Sequence, residues 1–140
     1  MIILGVDFGD ARTGLAVCDK TELLARGAGC IEGGFKKALN GTADAAKKLG
    51  AELIVVGNPV NMNGSEGPRS LKCRDFAAEL EKRSGIRTVL YDERLTTVSA
   101  HNFLSMSGLD SRRHKKHVDE LSATLILEDY MAYRKNKGDV

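Results

Sequence analysis

The first 32 residues hold three short apolar runs set so close together that the turns between them leave room for little but hairpins. Residues 2–8, 12–19 and roughly 22–32 read as consecutive strands, joined by Gly9-Asp10-Ala11 and by a turn around Lys20-Thr21. Such spacing predicts an antiparallel meander. The period then changes. Phe35, Ala38, Leu39, Thr42, Ala46 and Leu49 fall on one helical stripe, and Gly50 follows as a stop signal. Residues 51–57 are apolar almost throughout, as buried parallel strands are. A loop of turn formers occupies 58–68, and Cys73, Phe76, Ala77 and Leu80 mark a second helix ending near Ser84-Gly85. Residues 87–92 read as a fifth strand. Thr96 or Thr97 is placed to cap a short helix through about Ser107, which Gly108 stops. A basic loop comes next, then a last helix from about Val118 to Tyr133 and a solvated tail from Arg134.

The order βββαβαβαα predicts an α/β fold: a mixed five-stranded sheet with helices on both faces. Strand 4 is expected beside strand 1, giving the spatial order 3-2-1-4-5. The C-terminal ends of strands 1, 4 and 5 then meet at one edge, where open α/β sheets bind ligands. At 140 residues, the chain is expected to form one domain, residues 1–140. Its 42% hydrophobic and 29% charged residues are those of a water-soluble protein. No apolar run approaches the roughly 20 residues of a membrane span, and no secretory leader is evident. Cys18, Cys30 and Cys73 form no C-x-x-C pair, which argues against zinc and for a reducing cytoplasm.

Asp7 ends the first apolar run, and a carboxylate there costs several kcal/mol to bury unless something pairs with it. A divalent cation, or a phosphate held through one, would supply the partner; the plainer alternative is that Asp7 caps the turn. Glu93 ends strand 5 and Asp119 begins the last helix, so the topology would gather three acids. Neighbouring strands lie about 4.8 Å apart, which lets Asp7 and Glu93 reach toward one point. Carboxylates so gathered repel and need a cation, and oxygen-only ligands favour Mg²⁺ or Mn²⁺. Two such ions about 3.5–4 Å apart hydrolyse phosphodiesters in line. Taken singly, Glu93 could instead pair with Arg94 or cap the next helix, and Asp119 could simply favour a helix dipole. The run Ser111-Arg112-Arg113-His114-Lys115-Lys116-His117 carries four positive charges and no acid, which suits a phosphate backbone or a solvated loop.

At these residues the chain resembles the YqgF family, also described as Holliday-junction resolvases and linked to processing of precursor 16S ribosomal RNA. The likeness runs through Gly5-Val6-Asp7-Phe8-Gly9 with Arg12-Thr13-Gly14, and Val56-Gly57-Asn58-Pro59 with the segment from Asn61 to Pro68. It continues in Asp92-Glu93-Arg94-Leu95-Thr96-Thr97 and in Val118-Asp119 with Ala123, Ile126 and Leu127. The resemblance implies an RNase H-like fold, metal-dependent nuclease chemistry, and Asp7, Glu93 and Asp119 as the acidic set. The family often has leucine and aspartate where this chain has Asn58 and Asn63, a difference expected to tune the loop. RuvC-type resolvases place an acid after the fourth strand; Gly57-Asn58-Pro59 stands there, and Glu93 is expected to take that part.

The leading expectation is a Mg²⁺- or Mn²⁺-dependent nuclease acting on structured RNA, with branched DNA as an alternative substrate. Asp7 would bridge the metals, with Glu93 and Asp119 completing the site. Arg12, Asn61, Ser65, Arg94, Arg112, Arg113, Lys115 and Lys116 are the expected nucleic-acid contacts. An actin-like or sugar-kinase ATPase would share the D-x-G-x-x-x-T-G pattern of Asp7 to Gly14, but needs two such domains. A catalytically silent RNA-binding factor is the third class. Junction cutting would need a two-fold dimer and RNA trimming would not, so monomer and homodimer both stay open.

Overall fold

The computed structural model describes residues 1–59, 63–92 and 111–136, with 111–118 described by their backbone. Five strands, β1 (Ile3–Asp7), β2 (Arg12–Cys18), β3 (Ala25–Glu32), β4 (Leu53–Asn58) and β5 (Thr88–Asp92), form one sheet in the order β3-β2-β1-β4-β5. β1 runs antiparallel to β2 and parallel to β4, and β4 runs parallel to β5. This is the order the meander and the two crossovers predict. Among the described residues three helices cover the sheet: α1 (Phe35–Leu49), α2 (Pro68–Ser84) and α3 (Ser111–Asn136). None is long and apolar enough to cross a membrane.

Strand alternation divides the interior in two. Leu4, Val6 and Phe8 turn toward α1 and α2, where they join Leu39, Ile54, Val56, Phe76 and Leu80. Ile3 turns the other way, into a cluster with Val55, Tyr91, Ala123, Ile126 and Leu127 under α3. Leu4, Val6, Ile54, Phe76, Leu80, Ile126 and Leu127 are at most 1% exposed, and burial of each such side chain contributes about 1.5–3 kcal/mol. α1 and α2 stop where the sequence indicates, at Gly50 and Gly85, whose φ angles of 71° and 72° lie in the left-handed region. Pro68 opens α2, where its missing N–H costs nothing.

Three boundaries depart from expectation. β3 begins at Ala25, because Asp19 gathers the Thr21 N–H and hydroxyl and Glu22 (φ 56°) closes the turn. Leu23 and Leu24 are apolar yet exposed there, at 67% and 74%. The basic run around Arg112, Arg113, Lys115 and Lys116 is not a loop. Its backbone is helical from Ser111, so Asp119 lies about two turns inside α3 and does not begin it. Arg and Lys are good helix formers and the run holds no Gly or Pro to break it. At the other end α3 continues to Asn136, with Arg134 paired to Glu22 at 3.7 Å. The short helix expected at 96–107 and Glu93 lie outside the described residues.

α3 lies close against the sheet because glycines stand beneath it. A Cβ on Gly5 would meet Leu127 Cβ at 2.8 Å, and one on Gly14 would meet the Asp119 carbonyl oxygen at 2.0 Å. Gly14→Ala should therefore lift the helix and destabilise the protein by about 1–3 kcal/mol, as overpacking does. Gly34→Ala, whose Cβ would meet nothing nearer than 3.9 Å, should cost under about 1 kcal/mol as a helix cap change. Urea unfolding of the two variants would check the contrast, and equal losses would contradict it.

Candidate active site

The site grows from the end of β1. Ile3 and Gly5 meet α3, so by alternation Asp7 belongs to the same face of the sheet. Its partner across the β1–β2 pair is Gly14. The Asp119 backbone occupies the space where a Gly14 Cβ would stand. Asp7 and Asp119, 112 positions apart in the chain, therefore flank one glycine. Phe8, the next residue, packs into the opposite face with its ring 4.3 Å from that of Phe76, which anchors the strand end. Arg69 braces the same point, its Nη2 donating to the Phe8 carbonyl at 3.5 Å.

Arg12 and Cys30 complete this corner. Arg12 stands two residues before Gly14, and its Nε donates to Asp119 Oδ2 at 3.1 Å. Cys30 lies across from Gly14 in the β2–β3 pair, with its Sγ 3.8 Å from the same oxygen. The Arg12 and Asp119 side chains are 30% and 22% exposed, so the pair is open to water and contributes about 0–1 kcal/mol. Burial, and then the Asp119 charge, push the Cys30 thiol up to about 11. One residue on, Glu120 accepts the Gly29 N–H at 3.1 Å and ties α3 to the edge strand.

The position after β4 faces elsewhere. Asn58 is 5% exposed and its Oδ1 accepts the Ser70 hydroxyl at 2.6 Å, linking β4 to the first turn of α2. Asp92, its cross-strand partner, shares that face. Asn58 thus serves the packing of α2, on the opposite side of the sheet from Asp7 and Asp119.

The structure brings together Asp7, Asp119 and Arg12 of the expected site. Ser65 is engaged within its own loop, its N–H and hydroxyl both on Asn63 Oδ1 at 3.0 and 2.7 Å. Arg112, Arg113, Lys115 and Lys116 ride the opening turns of α3, and their side chains are outside the described set. Asn61, Glu93 and Arg94 are also outside it. Among the described residues no three His, Cys, Asp or Glu side chains form a metal-ligand group. Two carboxylates on one face nevertheless fit the oxygen preference of a hard divalent cation. Cys30 and Glu120 join this corner without being expected there from the sequence. Nothing local to either marks it, since each acts across a tertiary contact.

A family profile described as RuvX, Holliday junction resolvase, matches residues 1–133. The chain belongs to the RuvX family. A relative from Carboxydothermus hydrogenoformans is 39% identical over 138 residues, covering 96% of this chain and 98% of its own. Another, from Caldanaerobacter subterraneus subsp. tengcongensis, is 40% identical over 139 residues, covering 97% and 99%. Both carry the name "Putative pre-16S rRNA nuclease". Among solved structures, Thermus thermophilus RuvC superposes with a TM-score of 0.61 at 12% identity, over 97% of each chain. The fowlpox virus Holliday junction resolvase gives 0.54 at 15%, over 95% of this chain and 99% of its own. At such identities the likeness is one of fold, and that fold is the RNase H-like arrangement expected for this RuvX-family chain.

The Cys30 shift gives this corner a measurable pH dependence. A thiol whose folded pKa lies above its unfolded value of 9.0 holds its proton longer in the native state. Stability is then intact below pH 9 and declines as pH rises toward about 11. Cys30→Ser should lose less stability across that window than the parent in paired thermal melts without metal. An identical loss in both proteins would argue against the raised thiol.

Proposed function

We propose that this chain is a divalent-metal nuclease that acts on structured RNA, with precursor 16S ribosomal RNA as its substrate. The observation that carries the reading is the convergence of Asp7 and Asp119 on Gly14. Relatives 39–40% identical and named for pre-16S rRNA support the substrate. Asp7, Asp119 and Glu93 would hold Mg²⁺ or Mn²⁺. Glu93 enters this set from its place in the Asp92-Glu93-Arg94 motif of the family likeness. When bound, the cation supplies Lewis-acid activation of the attacking water and neutralises phosphodiester charge.

The protein's own groups position the substrate. Arg12 presents a planar fork of donors beside the acids, suited to a phosphate. Arg112, Arg113, Lys115 and Lys116 add positive charge to the N-terminal turns of α3, where the helix dipole disfavours it. A bound phosphate backbone would offset that cost. Asn61, Ser65 and Arg94 would add further contacts to the nucleic acid. The chain would work in the cytoplasm as one domain, where its three free cysteines stay reduced. A four-way DNA junction is the second reading, favoured by the fold shared with T. thermophilus RuvC in complex with Holliday junction substrate, at a TM-score of 0.61.

Cleavage of labelled structured RNA and of a four-way DNA junction, side by side with Mg²⁺, Mn²⁺ or EDTA, tests the reading. Metal-dependent cutting of the RNA is expected; binding without cutting in either metal would mark a silent RNA-binding factor instead. Asp7→Asn should abolish cleavage while leaving the metal-free melting temperature unchanged or higher, through relief of carboxylate repulsion. Mn²⁺ should stabilise the parent more than this variant.

Affinity has its own test. Lys115→Ala with Lys116→Ala should weaken RNA binding alike across unrelated sequences. The slope of log affinity against log salt should shrink by roughly one to two. An unchanged slope would remove these lysines from the nucleic-acid path.

A further inference from the structure

A site built to take a cation here already holds one from its own chain. Arg12 Nε and the Cys30 thiol both approach Asp119 Oδ2, at 3.1 and 3.8 Å. The two ends of the ion pair differ in freedom. Asp119 is held through its backbone, with its carbonyl packed over Gly14 and the adjoining Glu120 tied to the Gly29 N–H. Arg12 is held at its backbone by pairing with Glu32, while its guanidinium rides a flexible stem that is 30% exposed. Glu32 stands directly across the β2–β3 pair, where cross-strand Cβ atoms lie about 4.5–5.5 Å apart.

We propose that Arg12 and the divalent cation exchange on Asp119, so that metal binding hands the Arg12 guanidinium over to a substrate phosphate. The inference rests on the metal reading of the site. Two cations crowded on one carboxylate repel, and the doubly charged ion gains more from Asp119 than the singly charged one does. The freed guanidinium matches the oxygens of a phosphate in a bidentate fork. Metal and nucleic acid then bind cooperatively, each raising the affinity of the other by the same factor. Arg12 is in this scheme the substrate-binding group that couples the two events.

Calorimetric titration of Mg²⁺ without nucleic acid, paired with ¹⁵N NMR of the Arg12 Nε–H, tests this. Arg12→Ala should bind Mg²⁺ about 2- to 5-fold more tightly than the parent, the range set by loss of one exposed competing ion pair. Asp119→Asn should bind it more weakly. In the parent, saturating Mg²⁺ should move the Arg12 Nε–H resonance toward its position in metal-free Asp119→Asn. Mg²⁺ binding that leaves this resonance in place, or no gain in Arg12→Ala, overturns the exchange while the metal site stands. No Mg²⁺ binding by the parent overturns the metal reading and the exchange together.

Discussion

The close seat of α3 on the sheet is the constraint on which the site depends. Side chains normally hold a helix and a sheet well apart, yet here Gly5, Gly14 and Gly27 each face atoms of α3 that a Cβ would strike. At Gly14 the obstructing atom is a backbone carbonyl, which cannot swing aside as the Glu120 side chain over Gly27 could. The approach therefore sets Asp119 in register with the end of β1 to within the tolerance of packed backbone. A carboxylate on a solvent-facing loop would have no such definition. The geometry of the acidic pair is in effect a packing property of the helix–sheet interface.

The opposite face supplies the rigidity this needs. Phe8, Phe35 and Phe76 form an aromatic group beneath α1 and α2, with Phe8 directly following Asp7. Anchoring Phe8 on one side of the sheet commits Asp7 to the other, because successive strand residues alternate. Asn58 works in the same direction. Its hydrogen bond to Ser70 ties the end of β4 to α2, so the strand beside β1 is pinned at the edge where ligands bind such sheets. Asn58 is in this way an element of the scaffold, turned toward α2 and away from the acidic corner.

Around Asp119 the charges are only partly screened by protein. Arg12 balances Asp119, while Cys30 stays a neutral thiol beside them because burial and the neighbouring carboxylate oppose its ionisation. The Arg12–Asp119 pair is thus balanced in charge yet open enough to water for a guanidinium to leave. A fully buried pair would hold far more firmly and would resist such exchange.

The sequence by itself determined the sheet order, the two-faced division of the helices, the helix stops at Gly50 and Gly85, and the family, each readable from local period, turn chemistry or motif. It also named Asp7, Arg12 and Asp119. It misjudged the 19–24 turn and the start of α3, where apolar content and charge were poor guides. Leu23 and Leu24 are exposed because Asp19 and Glu22 shape the backbone there, and the basic run is helical because Arg and Lys tolerate helix well. Tertiary structure alone decided that Asp119 packs on Gly14, that Cys30 and Glu120 join that corner, and that Asn58 turns toward α2. These are contacts between residues 12 to 105 positions apart, and local sequence carries no record of which side chains distant packing will bring face to face.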